Sequence, residues 1–252
     1  RLAEYYLSRE QTLQIWNNVD EEYFINESVA DIVWHTATIN NHDLADGPLI
    51  SIRDITSRRR ADEGATQIFV HMKDTPHIFA SIVSALDALA LNVMDAKIAS
   101  SATDLVFDTF TVLEYDGTPV GDKPFRRERI RATLLKYLDT KERPKDTITR
   151  RTPRALRQFV QKTEVSITDQ QDYSILSIVA PDRPGLLAII AEVFVEMDIT
   201  LNTARITTLG EKVEDLFHIS KGGKLIQDNE TRSMLTDRIC QELDSHVDKV
   251  AV

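Results

Sequence analysis

The chain has 252 residues, 42% of them hydrophobic, and a formal net charge of −10. A chain of this length buries roughly 70–75% of its unfolded surface without disulfide staples, and its single cysteine, Cys240, has no intrachain partner. The acidic balance argues against nucleic-acid binding, which depends on neutralising phosphates, and the lack of an apolar run of about 18 residues or a signal-like amino terminus predicts no membrane span and a cytoplasmic location.

The first 45 residues read as helical, and the leading Arg in place of Met suggests a piece of a longer protein. Leu2, Tyr5 and Tyr6 precede a segment around Leu13, Ile15 and Trp16. Between Tyr23 and Thr36, the residues Val29, Ile32, Val33 and Thr36 recur at helical spacing. Ser28 or Asn26 can cap that start, because a short side-chain oxygen accepts from an orphan first-turn N–H. His35, beside Trp34, reads as a packed or hydrogen-bonded group. His42-Asp43 is a lone pair in a polar loop, and His71, His77, His218 and His246 have no metal-type spacing. Arg58-Arg59-Arg60 then forms a basic patch.

A first structured unit follows, with Asp74-x-Pro76 leading into His77, Phe79, Ala80 and Ile82, and later Ala96, Ile98 and Asp108-Thr109-Phe110. Lys141 to Arg157 holds seven basic residues against two acidic ones, and reads as a solvated linker or a docking strip for an acidic partner. The second unit is clearer. Ile175, Leu176, Ile178 and Val179, bounded by Pro181, form a strand. Asp182-Arg183-Pro184-Gly185 then opens a helix, Pro184 suiting its first position and Gly185 permitting close backbone approach. Leu186, Ile189, Ile190, Val193, Phe194 and Met197 make its apolar face. Ile199 to Thr208 alternates, which puts Thr200, Asn202, Ala204 and Ile206 on one face. A turn at Leu209-Gly210-Glu211, a strand from Val213 to Ser220 and a helix from about Glu230 to Leu243 complete the order β-α-β-β-α.

Aligning Pro184 with Pro76 pairs Asp182 with Asp74, Leu187 with Phe79, Ala204 with Ala96 and, after a one-residue slip, Asp215 with Asp108. Such a repeat argues for tandem modules. Each resembles the ACT domain, a ferredoxin-like module of pattern βαββαβ that usually binds an amino acid or a related small molecule. A tyrosine-led helix ending in Trp34-His35-Thr36, a basic patch and two such modules together resemble the carboxy-terminal part of the bacterial protein-PII uridylyltransferase / uridylyl-removing enzyme family.

That resemblance implies an α+β chain: residues 1–60 as a helical segment and basic linker, 61–170 as the first ACT module with a basic insertion at 141–157, and 171–252 as the second. It implies a nucleotidyltransferase domain and an HD-type phosphohydrolase domain upstream, with Mg2+ or another divalent metal there and no cofactor in this segment. It implies PII as partner and L-glutamine as ligand, glutamine favouring removal of UMP from PII. It also implies modules paired side by side, within the chain or in a homodimer, with ligands at the seam. No Gly-Ser dipeptide exists to hold a triphosphate, so catalysis is expected elsewhere.

An amino acid needs donors for its carboxylate, an acceptor for its ammonium and a group that reads its side chain. Backbone N–H groups at Gly185 and Leu186 suit the carboxylate, Asp182 the ammonium and Asn202 a glutamine amide, with Arg183 and Leu187 completing the set. Asp74, Thr75, Ile78 and Asn92 are the matching residues of the first module. His77 replaces Gly185 there, and Asn92 aligns with Thr200 rather than Asn202, so the two pockets are expected to differ. The alternatives are an ACT pair for another amino acid, one serving only as an interaction surface, or an independent metal phosphohydrolase using His42 and Asp43.

Overall fold

The structure is a computed structural model; it describes residues 7–19, 21–56, 64–99, 101, 103–139, 162–170, 173–183, 185–209 and 212–248. Three helices come first: α1 (Arg9–Trp16), α2 (Glu21–Asn26) and α3 (Val29–Asn40). Ser28 caps α3, its hydroxyl accepting from the Asp31 N–H while the Asp31 carboxylate accepts from the Ser28 N–H. Next come β1 (Leu49–Thr56), β2 (Gly64–Lys73), α4 (Ile78–Ala88), β3 (Leu91–Lys97), β4 (Leu105–Glu114) and α5 (Pro124–Asp139). The second unit repeats this order in β5 (Glu164–Gln170), β6 (Tyr173–Pro181), α6 (Leu186–Glu196), β7 (Thr200–Leu209), β8 (Lys212–Ser220) and α7 (Asn229–Asp248). Leu2, Tyr5, Tyr6, Arg58-Arg59-Arg60, the strip from Lys141 to Arg157, Pro184 and Gly210-Glu211 lie outside the described residues.

All eight strands join one sheet in the order β1-β2-β4-β3-β7-β8-β6-β5. The two modules therefore sit side by side within one chain, joined where β3 pairs antiparallel with β7 at Ala96 opposite Ile206 and Lys97 opposite Arg205. Each module is ferredoxin-like in layout, with one departure from the expected βαββαβ order. The outer strand enters before the unit instead of after its second helix, because β1 forms a hairpin ladder with β2 and β5 with β6. These strands precede the expected module starts at 61 and 171.

The helices α4 to α7 cover one face of the sheet. Strand residues Ile68, Val70, Phe110, Leu176, Ile178 and Phe217 meet Ile82, Leu86 and Ile190 there, all fully buried. Each such side chain contributes roughly 1.5–3 kcal/mol by leaving water. The other face is covered over the first module by α2 and α3, where Tyr23, Phe69 and Phe107 form a second cluster with Trp34. His35 stacks on Phe69 at 3.9 Å, shares a 2.7 Å hydrogen bond with the Tyr23 hydroxyl and lies 3.3 Å from Thr109 Oγ1. Burial, helped by nearby Arg53 and Lys97, pushes its imidazole down to about 3, so it stays neutral. Around it Arg53 caps the Trp34 ring and pairs with Asp31, and Lys97 reaches Glu27 at 2.8 Å.

Candidate functional site

The turn from β6 into α6 is held by Gly185 in the left-handed region, φ 75°, immediately before the first helical residue, Leu186. First-turn N–H groups of a helix have no partner within it, and they carry the positive end of the helix dipole. This turn faces the neighbouring module. A cavity of about 300 Å³ opens at the seam, lined by Asp182, Arg183, Gly185, Leu186 and Leu187 from the second module and by Asn92 from the first. Val83, Asp87, Tyr115 and Asp215 also line it.

The same arrangement recurs with the modules exchanged. His77 precedes α4 with φ 68°, so a side chain bearing Cβ adopts the turn that Gly185 makes in the second copy. A second seam cavity, about 460 Å³, is lined by Asp74, Thr75, His77 and Ile78 and by Thr200 and Phe194 from the other module. Thr200 stands where Asn92 stands in the first cavity. Each cavity thus takes its turn from one module and its opposing polar side chain from the other. Asn92, expected beside Asp74, faces Asp182.

Asn202 goes elsewhere. A β-bulge between Leu201 and Thr203 shifts the register, and the first module has its counterpart between Val93 and Asp95. The shift puts Asn202 on the opposite face of the sheet from Ala204 and Ile206, against the simple alternation. It lines a third cavity of about 680 Å³ with Glu27, Lys97, Arg205 and His218, and its Oδ1 accepts from Ser220 Oγ at 2.9 Å.

Two acidic groups in the sheet received no role from sequence reasoning. Asp215, 1% exposed, lines the first seam cavity, and its counterpart Asp108 is 0% exposed. Their signal was present, an Asp at the same place in both copies inside an otherwise apolar strand face. Burial, with Asp74 nearby, pushes the Asp108 carboxyl well above the usual carboxylate range. Burial also raises Asp182, and lowers the Arg183 guanidinium to about 10, which leaves it charged at neutral pH.

His42 and Asp43 serve local structure. The His42 Nε2 lies 2.8 Å from the Gly47 carbonyl, and the Asp43 carboxylate accepts from the Ala45 N–H at 2.9 Å. Among the described residues, no three His, Cys, Asp or Glu side chains gather as a metal-binding group, and no helix is long and apolar enough to cross a membrane.

Two ferredoxin-like modules sharing one sheet, with ligand-sized cavities where each strand-to-helix turn meets the other module, define a tandem ACT pair. The family described as "Uridylyltransferase GlnD fifth domain" matches residues 1–38. The "Bifunctional uridylyltransferase/uridylyl-removing enzyme" of Stutzerimonas stutzeri (strain A1501) is 41% identical over 82% of this chain and 23% of that protein. Those of Ectopseudomonas mendocina (strain ymp) and Pseudomonas entomophila (strain L48) are 38% and 40% identical over 91% of the chain and 26% of each protein. The chain belongs to this bifunctional uridylyltransferase/uridylyl-removing enzyme family and spans about a quarter of the length of these relatives. Among solved structures, an aspartate kinase from Synechocystis superposes with TM-score 0.42 at 19% identity, over 75% of this chain and 30% of that one.

Proposed function

We propose that this chain is the glutamine-sensing regulatory region of a bifunctional uridylyltransferase/uridylyl-removing enzyme, and that L-glutamine bound at the module seam favours removal of UMP from PII over its transfer. The observation that carries this reading is the meeting of Asp182, Arg183, Gly185, Leu186 and Leu187 with Asn92 in one cavity. Together they offer what a free amino acid requires. The α6 turn supplies N–H donors for a carboxylate, Leu186 excepted because its N–H donates to the Arg183 carbonyl at 3.3 Å; Asp182 accepts from an ammonium, and Asn92 both donates to and accepts from a side-chain amide.

The seam also suits signalling. Strands β3 and β7 floor the cavity on one face, while on the other Lys97 of β3 holds Glu27 in the segment that matches the fifth-domain family. A ligand that alters the seam acts on Lys97 and so on α2. Sensing a metabolite at millimolar concentration needs only about −4 kcal/mol of binding free energy. A coupling of roughly 1–3 kcal/mol then biases distant sites 5- to 150-fold. On this reading both catalytic centres and their divalent metal belong to the parts of the enzyme outside these residues.

Calorimetry of the chain with L-glutamine, L-glutamate and L-asparagine tests the assignment. Saturable binding selective for glutamine, weakened about tenfold or more in Asn92→Ala, is expected. Heat from a different amino acid alone would make this a sensor of that ligand, and no heat from any would leave an interaction module. In the full-length enzyme, glutamine should raise the ratio of UMP removal to UMP transfer.

A further inference from the structure

The two seam cavities are built on one plan, yet only one contains a buried cation. Arg183 is 9% exposed, lines the α6 cavity, and has both Nε and Nη1 without a hydrogen-bond partner among the described residues. Buried guanidinium N–H groups left unpaired are costly, because water no longer solvates them. Asp244 is near enough to act on its charge, and Asp244 Oδ1 accepts from the Thr163 hydroxyl at 2.8 Å. In the α4 cavity Thr75 occupies the equivalent position. Lys73 on that rim is an exposed ammonium, which remains hydrated and contributes little to a contact. Carboxylates border both cavities, Asp87, Asp182 and Asp215 at one and Asp74, Asp104 and Asp198 at the other. The cation is what distinguishes them.

We propose that Arg183 is the carboxylate anchor of the α6 cavity, and that the α4 cavity, with Thr75 in that place, takes no amino acid, so that one ligand binds per chain. This rests on the amino-acid-sensing reading above. The ligand class is an α-amino acid with a free carboxylate. Its carboxylate takes charge-assisted N–H donors from the guanidinium, which the single hydroxyl of a threonine cannot match. The α6 N-terminus adds donors on the same side, and Asn92 faces the far end of the ligand. The α4 cavity is left as the supporting half of the pair, its turn held by His77 instead of glycine.

The test compares L-glutamine with L-glutaminamide, in which a neutral amide replaces the α-carboxylate, by calorimetry on the whole chain. The wild-type protein should bind one glutamine per chain and prefer it to glutaminamide by at least tenfold. Arg183→Met should weaken glutamine binding by at least tenfold and erase that preference, whereas Thr75→Val should leave both within twofold. A thermal melt checks that each variant folds. Should Arg183→Met fail to fold, the wild-type stoichiometry and preference still decide the matter. Two equal sites, no preference in the wild type, or a preference that survives in Arg183→Met would each overturn the inference while leaving the sensor reading intact. No heat from any amino acid with the wild-type chain would overturn the sensor reading, and the anchor with it.

Discussion

Gly185 and His77 hold the same left-handed turn with different side chains, φ 75° and φ 68°. In the first copy the strain of a Cβ in this region is tolerated; in the second the glycine leaves the turn clear for a ligand. Gly185→Val should therefore cost roughly 1–3 kcal/mol of stability and weaken glutamine binding more than tenfold while the chain stays folded. A far-UV melt beside calorimetry reads both, and undiminished affinity would remove Gly185 from the site. Asp108 makes a different demand. Its Oδ1 accepts from the Ala99 N–H at 3.3 Å, while Oδ2 has no hydrogen-bond partner among the described residues. A carboxyl whose folded pKa is raised stabilises the fold below its unfolded value of 3.8, and that contribution is lost as pH rises through the folded value. Asp108→Asn keeps the Ala99 contact and removes the ionisation. It should raise stability at pH 8 by roughly 1–3 kcal/mol, and the gap should close toward pH 4. A gap of equal size at both pH values would assign the gain to packing instead.

At the scale of elements, the amino-terminal helices are docked by a polar and aromatic layer on the first module. His35 sits at its centre, 0% exposed between Tyr23, Phe69 and Thr109. Its folded pKa of about 3 lies below the ordinary 6.5, so its contribution is complete above 6.5 and is lost as pH falls toward 3. Each pH unit in that window costs at most about 1.4 kcal/mol. The acidic groups of this layer divide: burial raises Glu27 above its ordinary value in spite of Lys97, and Asp31 goes the other way. Asp31 is destabilised as a carboxylate by burial, yet Ser28, Lys97 and Arg53 hold its pKa below the usual value, so it stays ionised through most of the window. Both tryptophans of the chain, Trp16 and Trp34, lie in the helical segment, and Trp16 Nε1 donates to Thr36 Oγ1 at 3.0 Å. Tryptophan fluorescence should therefore report undocking of α2 and α3 between pH 6.5 and pH 3, ahead of loss of the sheet. A transition unchanged in His35→Gln would assign it to another group.

The whole molecule is a pseudo-symmetric pair whose interface also holds both seam cavities. A ligand that occupies the seam binds the folded chain and not the unfolded one, so at one hundred times its dissociation constant it adds about 2.7 kcal/mol. For a chain of this size that is a rise in melting temperature of roughly 5–10 °C. Thermal melts in L-glutamine and in L-glutamate would read it, and equal shifts from both would argue against a glutamine-selective seam. The charge pattern also has its meaning at this scale. With a net charge of −10, the field of the molecule does not favour anions, so the anchor proposed at Arg183 depends on local geometry.

Much of this was legible in the residues because it is local. Capping by Ser28 follows from a hydroxyl three positions before Asp31, the apolar faces of α4 and α6 from their spacing, and the repeat from matched Asp-x-Pro turns and the Asp108 and Asp215 positions. Those features depend on neighbours within a few positions in the chain. Tertiary structure decided the rest. β1 and β5 became the outer strands because each pairs with the strand that follows it, which composition does not announce. The bulge at Leu201/Thr203 carried Asn202 to the far face, since strict alternation holds only while the register is unbroken. Asn92 reached Asp182 because β3 and β7 joined the modules edge to edge, and the burial of Arg183, with Nε and Nη1 unpaired among the described residues, became visible only in the folded chain. Pairing between strands more than a hundred positions apart is chosen by the summed packing of both modules, and no local pattern in the chain encodes that sum.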